Sequence, residues 1–432
     1  MSFVSNSDRL FSHLRLQDNQ LRHYPGSVLG NTALVAGTTI GAGILALPSV
    51  TVSSGIFPST LLLVGVWFYA VISGLLIAEV NLNLLKHSGK TNAGILAMVK
   101  ATLGNKGGKI AGLAYLFLHY ALLVAYISQG GEILSRPLSS LFHIALPSWV
   151  GATVFISIFG SILYFGRQKL VEQFNSLLVA IVMVAFIGLM AFGISQVNSA
   201  SFSLQHWGSL PRAVPVMLVA LFFHNVIPVV TSQLEGDIVK IRQSIIVGSF
   251  IPLLMFLAWN TIVLCGIDWE FMQELESSGK HINILEILSF SSAGQTIEIL
   301  IVLFSVFAIS TSFIGFVYGL LDFFRDFFPF SRQQPKRRLG VYSLVLLPSF
   351  CLSILNPYIF LTALDYAGTF SISLLGGIIP SMMAWKLRYA NSTNSVGATV
   401  FSLVRGGKIT LVGIVAIAVI VIAEHIVKLV IA

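Results

Sequence analysis

The sequence predicts an all-α polytopic membrane protein of eleven transmembrane helices, and three observations carry that prediction. Of 432 residues, 56% are hydrophobic and only 10% are charged, whereas a soluble domain carries about 25% charged residues. Apolar stretches of about 20 residues, long enough to cross a hydrocarbon core, recur along the whole chain. The basic residues cluster in alternate connecting segments, as membrane topology requires.

Residues 1–26 are polar, carry Asp8 and Asp18, and read as a segment outside the bilayer. The apolar run that follows is too long for the core of a signal peptide and reads as a retained span. The spans lie near 27–53, 58–82, 109–134, 147–165, 173–195, 213–234, 243–266, 297–322, 339–355, 358–385 and 409–430. The segment 86–108 mixes Gly, Lys and apolar residues and is expected along the membrane surface. The one long outer connection, 267–296, is acidic through Asp268, Glu270, Glu274, Glu276 and Glu286.

With a cytoplasmic N-terminus, only Arg136, Arg212, Lys280 and Lys428 of the 25 Lys and Arg residues fall outside. The inner segments hold the rest, including the Lys336-Arg337-Arg338 run. Adding or losing a span would invert part of this pattern, so it supports both the count and an outer C-terminus. The net charge of +8 therefore reflects topology, and a nucleic-acid partner is not expected. Cys265 and Cys351 sit in apolar stretches and form no metal or disulfide pattern.

Two spans contain sequence that helices disfavour. In span 1, Gly37-Thr38-Thr39-Ile40-Gly41-Ala42-Gly43 places three glycines mid-membrane, each weakening a helix by about 1 kcal/mol relative to Ala. In span 6, Phe222-Phe223-His224-Asn225-Val226-Ile227-Pro228 ends on a proline that cannot donate its i−4 hydrogen bond. One such interruption reads as a kink. Irregular backbone at this depth is tolerated where it is buried in protein or lines a polar cavity. Two interruptions five spans apart fit an inverted repeat, because five is odd, and paired broken helices point to a transporter binding site near the midplane. The expected units are 1–26, a first repeat over 27–195, a second over 196–385, and 386–432 with the last helix.

Such a site suits a zwitterion. The half-helix resuming after the span 1 break offers unpaired N–H groups to a carboxylate, and unwound carbonyls can accept from an ammonium group. Gly41 and Gly43 leave the backbone accessible, and Thr38 and Thr39 add hydroxyls. Phe222 and Phe223 either offer ring faces to a large side chain or pack the core. His224 either carries a coupled proton or makes a substrate or structural hydrogen bond.

The run GTTIGAGILALP and the stretch FFHNVIPVV followed by EGDIVKIRQSIIVGSFIPL resemble the aromatic amino acid permeases, the tryptophan/tyrosine group of the hydroxy/aromatic amino acid permease family. ISGLLIAEVNLNLL in span 2, AYISQGGEIL in span 3 and TSFIGFVYGLLDFF in span 8 extend the resemblance over most of the chain. It implies the five-plus-five inverted repeat of the amino acid–polyamine–organocation superfamily with one extra C-terminal helix. It also implies proton-coupled uptake of tyrosine, tryptophan or phenylalanine through the cell (inner) membrane. By position it places Thr38, Gly41, Ala42, Gly43, Phe223, His224 and Asn225 in or beside the pocket. The chain departs from the family pattern at Val229-Val230, which leaves the particular aromatic substrate open.

Ionisable residues inside spans are costly and commonly functional. Besides His224, Asp365 in the outer part of span 10 is a candidate gate or proton site, or a carboxylate reaching the outer surface. Glu79, near the inner end of span 2, is expected to pair with a basic loop residue or a backbone amide. Sodium remains an alternative coupling ion, because Thr311 and Ser312 on span 8 can join carbonyls near Gly37 and Ile40 around a hard cation. No metal-ligand cluster, catalytic motif or nucleotide motif is present, so neither an enzyme, a cofactor nor ATP drive is expected. A channel would need a continuous polar lining. A non-transporting amino acid sensor would share the same site and differ only in lacking flux.

Overall fold

The computed structural model describes residues 10–17, 20–23, 26–88, 93–144, 146–194, 202, 205–266, 295–327, 335–356, 358–390 and 402–431. Among these, ten helices are long and apolar enough to cross a bilayer, and one bent helix pair makes an eleventh. The acidic connection expected over 267–296 lies almost wholly outside the described residues.

Span 1 is two helices, Val28–Thr39 and Gly43–Thr51, meeting at 51°. Its first half starts on Ser27, whose hydroxyl accepts the Gly30 N–H at 2.9 Å, the expected N-cap chemistry. Spans 2 to 5 are Ile56–Ser88, Ile95–Phe142, Ser148–Phe165 and Gln168–Gly193. Span 3 is longer than its apolar core suggests, because residues 95–103 form a helical lead-in. Gly104, at φ 79° and ψ −173°, joins that lead-in to the span proper.

Span 6 is also divided, into Val214–Ala220 and Ile227–Gln233, with a short 3-10 turn, His224–Val226, between them. Pro228 sits in the first turn of the second half, where its missing N–H costs nothing. The interruption lies just upstream of it, and the His224 carbonyl accepts from the Ile227 N–H. Spans 7 to 9 are Ile238–Cys265, Gln295–Phe327 and Pro335–Leu355. Span 10 runs Ile359–Tyr389 and carries π-helical stretches over Ala367–Ile372 and Leu374–Ile378. Span 11 is Gly407–Ile431, packed along span 10 and largely exposed.

Several of the packing pairs share a regularity. Span 1 contacts span 7 and span 6 contacts span 2. Span 5 contacts span 8 and span 10 contacts span 3. Span 4 contacts spans 3 and 8, and span 9 contacts spans 8 and 3. Exchanging each span for the one five places along maps every one of these pairs onto another.

The N-terminal segment is not featureless. Leu14–Gln17 pairs antiparallel with Gln20–His23. Just before it, the Leu10 N–H bonds the Glu235 carbonyl at 2.9 Å and the His13 N–H bonds Glu235 Oε1 at 2.6 Å. This strap lies under the turn between spans 6 and 7, where Glu235 and Gly236 adopt φ 56° and 80°.

At the same face, Arg388 of span 10 forms a two-pronged pair with Glu79 of span 2, both contacts at 2.6 Å. The Leu403 N–H adds a third hydrogen bond to Glu79 at 2.8 Å. Glu79 thus finds both the basic and the backbone partner expected of it.

Candidate substrate cavity

The two interrupted spans meet. A Cβ on Gly43 would stand 2.7 Å from the Ala220 Cα, so the start of the second half of span 1 packs directly on the end of the first half of span 6. Only a glycine permits that approach. The Ser312 hydroxyl of span 8 reaches into the span 1 break and accepts the Ala42 N–H at 3.0 Å. A side chain on Gly41 would collide with that same hydroxyl.

Around the break the backbone is left short of partners. The Gly41 and Gly43 amides have no protein acceptor among the described residues, and the carbonyls of Gly37 to Ile40 receive no intrahelical N–H. Thr38 and Thr39 turn their hydroxyls back to the Leu34 and Val35 carbonyls, each at 2.8 Å. They therefore donate within their own helix and keep only lone pairs for anything else.

A cavity of about 590 Å³ opens at this point, within the usual range for small-molecule sites. Of the residues singled out in the sequence, Thr38, Thr39, Gly41, Ala42, Gly43, Phe222, Asn225, Thr311 and Ser312 line it. Phe223 and His224 do not. Phe223 is fully buried against Gly74 of span 2, 2.9 Å from where a Cβ there would lie. The His224 ring is sandwiched between Phe222 and Phe223, with centroids 4.9 and 5.2 Å away. Among the described residues, neither of its nitrogens has a hydrogen-bond partner.

Asp365 is also elsewhere, in a separate cavity of about 180 Å³ with Arg212, Glu424 and Lys428. Its carboxylate lies 3.2 Å from His425 Nδ1 of span 11.

Sequence reasoning missed one wall. Span 3 contributes Tyr115, His119, Leu122 and Tyr126, span 5 contributes Asn175, Ser176 and Val179, and span 8 adds Phe316. The signal was present as an i, i+4, i+7, i+11 stripe, a single helical face, but no helix-breaking residue drew attention to it. His119 stacks on Tyr115 with centroids 3.9 Å apart and meets Phe316 edge-on at 5.0 Å. Tyr126 meets Phe316 edge-on at 5.8 Å.

The cavity is one-sided. From the breaks it follows Ala33 and Leu34 of span 1, Tyr115 of span 3, Asn175 of span 5 and Gly319 of span 8. All of these lie toward the face that carries the N-terminal strap. On the other side of the breaks, Thr51, Ser59 and Asn260 join spans 1, 2 and 7 through hydrogen bonds of 2.7 and 3.1 Å.

A bundle of ten or eleven apolar helices long enough to cross a bilayer defines an integral membrane protein. The tryptophan/tyrosine permease family matches residues 25–425, and the chain belongs to that family, whose members are permeases and not enzymes. It is 31% identical over 371 residues to the tryptophan-specific transport protein of Haemophilus influenzae, covering 83% of this chain and 87% of that one. The tyrosine-specific transport system 1 of the same organism is 29% identical over 397 residues, with 91% and 95% covered. The low affinity tryptophan permease of Escherichia coli K12 is 28% identical over 373 residues, with 84% and 88% covered.

Proposed function

We propose that this protein is a secondary transporter that imports an aromatic amino acid (tyrosine, tryptophan or phenylalanine) by proton symport and alternating access. The observation that carries the reading is the convergence of two interrupted spans on one cavity with aromatic walls. The free Gly41 and Gly43 amides suit the substrate carboxylate, at the positive end of the resuming half-helix. The carbonyls of Gly37 to Ile40 and the Asn225 amide suit the ammonium group. Phe222, Tyr126 and Phe316 provide ring faces for the aromatic side chain, a contact worth about 0.5–1.5 kcal/mol beyond area burial for each pair. The relatives named for tryptophan and tyrosine transport support the substrate class.

The five-place regularity of the packing pairs supports an inverted repeat over 27–195 and 196–385, with the last helix appended. On this reading the N-terminal face is cytoplasmic and the structure is the inward-open state of the cycle. Closure of the inner side and opening of the outer side around the fixed site would complete transport.

Sodium coupling is the second reading, and one observation favours it. Thr311 and Ser312 line the same cavity as Gly37 and Ile40, a grouping of oxygens suited to a hard cation. Uptake of radiolabelled tyrosine, tryptophan, phenylalanine and leucine into proteoliposomes, under imposed proton or sodium gradients, tests both. Aromatic uptake driven by protons alone is the expected result. Sodium dependence transfers the coupling role to Thr311 and Ser312, and the absence of aromatic flux contradicts the substrate assignment.

A further inference from the structure

If protons drive substrate through this cavity, some group on its wall must take and release them near neutral pH. Among the described residues the wall holds no Asp, Glu, Lys or Arg, and its titratable side chains are Tyr115, His119 and Tyr126. The phenols ordinarily titrate near 10 and the imidazole near 6.5, so His119 is the residue suited to the task.

The geometry agrees. His119 Nδ1 lies 2.8 Å from the Tyr115 carbonyl one turn back. A carbonyl can only accept, so Nδ1 carries the hydrogen and Nε2 the lone pair, an assignment made from the partner. Nε2 lies beside Gly319 of span 8, itself on the cavity wall, where a Cβ would stand 2.5 Å away. The absent side chain makes room for that nitrogen. Tyr115 and Phe316 grip the ring on two sides.

The charged groups that face this corner are at its rim. Asp322 of span 8 acts electrostatically on Tyr115 and is paired with Arg325 at 3.0 Å, both well exposed. Spans 1, 5 and 6 contribute no titratable side chain to the wall. His224 and Asp365 lie off it, as described above.

We propose that His119 is the residue that couples proton movement to substrate movement, an inference that rests on the proton-symport reading above. When the cavity faces outward, the Nε2 lone pair takes one proton and the ring becomes a cation beside the substrate. When the cavity opens to the N-terminal face, the same N–H bond breaks and the proton leaves to water in that vestibule. One proton enters and one is released per cycle, and no other bond changes.

The test compares wild type, His119→Gln and His119→Asn in proteoliposomes, reading tryptophan counterflow and gradient-driven accumulation between about pH 5 and 8. Counterflow needs only binding and the conformational cycle. A proton gradient of one pH unit drives about tenfold accumulation in wild type for one coupled proton. Both variants are expected to lose accumulation, to a ratio near one, by a larger factor than they lose counterflow, and to show no pH dependence of substrate affinity. The asparagine variant retains an amide that can reach the Tyr115 carbonyl and guards against a folding defect in the other.

Wild-type-like accumulation and pH profile in either variant overturns the proposal, as does accumulation in wild type that follows sodium and ignores protons. Absence of aromatic counterflow in wild type removes the transport reading itself, a different failure from the loss of coupling alone.

Discussion

At Gly43 a single methyl group decides whether spans 1 and 6 can meet. A leucine there must displace the Ala220 backbone, and overpacking of this kind costs about 1–3 kcal/mol. Gly43→Leu is expected to abolish uptake while the protein still reaches the membrane, and Gly41→Leu to do the same by evicting the Ser312 hydroxyl. Uptake assays normalised to surface expression check both, and retained full transport by either variant contradicts the cavity assignment. Ser312→Ala removes the acceptor of the Ala42 N–H, an interaction worth about 0.5–1.5 kcal/mol. A lowered melting temperature and weakened substrate protection against unfolding are the expected readouts. Residues of this kind were legible because Gly-Thr-Thr-Ile-Gly-Ala-Gly is improbable inside an apolar helix. His119 was not, because one polar side chain in an unbroken apolar helix looks the same whether it faces a cavity or a neighbouring span.

Among elements, the ends of the spans carry the polar chemistry that fixes their positions. Glu79 is fully buried, and its two contacts with Arg388 tie span 2 to span 10. Removing one partner of a buried pair leaves an uncompensated charge, at a cost of about 3–5 kcal/mol. Glu79→Ala is therefore expected to lower thermal stability sharply, while substitution of the exposed Asp322, paired with Arg325, leaves it nearly unchanged. Thermal unfolding in detergent, followed by tryptophan fluorescence, distinguishes the two.

Asp237 offers a pH-dependent case at the start of span 7. Burial pushes its carboxyl up, but hydrogen bonds from Lys240 and the charge of that residue, 2.7 Å away, outweigh this and hold it below the ordinary value. A depressed folded value means stability that is present above about pH 3.9, the unfolded value, and lost as pH falls further. Asp237→Asn is expected to be less stable than wild type at neutral pH, with the difference closing in acid. A gap that stays constant across that range contradicts the assignment. Span positions were readable from apolar length, and the pairing of Glu79 from its place beside a basic loop. In span 6, Pro228 stands in the first turn of the second half-helix, just past the 3-10 turn His224–Val226.

At the scale of the whole molecule, the eleven expected spans agree with ten long helices and one bent pair. Which spans touch was not legible. In a bilayer both lipid-facing and core-facing side chains are apolar, so a helix such as span 3 presents Leu113 outward at 71% exposure and Leu118 inward at 1% with no change in hydropathy. The one-sided cavity leads to a prediction about access. In a background lacking the native Cys265 and Cys351, Val179→Cys is expected to react with impermeant thiol reagents from the N-terminal face and not from the other. Labelling from both faces, or from the opposite face alone, contradicts the inward-open assignment.

The cavity between the two span breaks is proposed to hold the transported aromatic amino acid. Electron cryomicroscopy of the protein with tryptophan bound tests it most directly. Ligand density is expected with the carboxylate at the Gly41 and Gly43 amides and the ring among Phe222, Tyr126 and Phe316. Density confined to the charged cavity around Asp365 and His425, or an empty central cavity at saturating tryptophan, would contradict it.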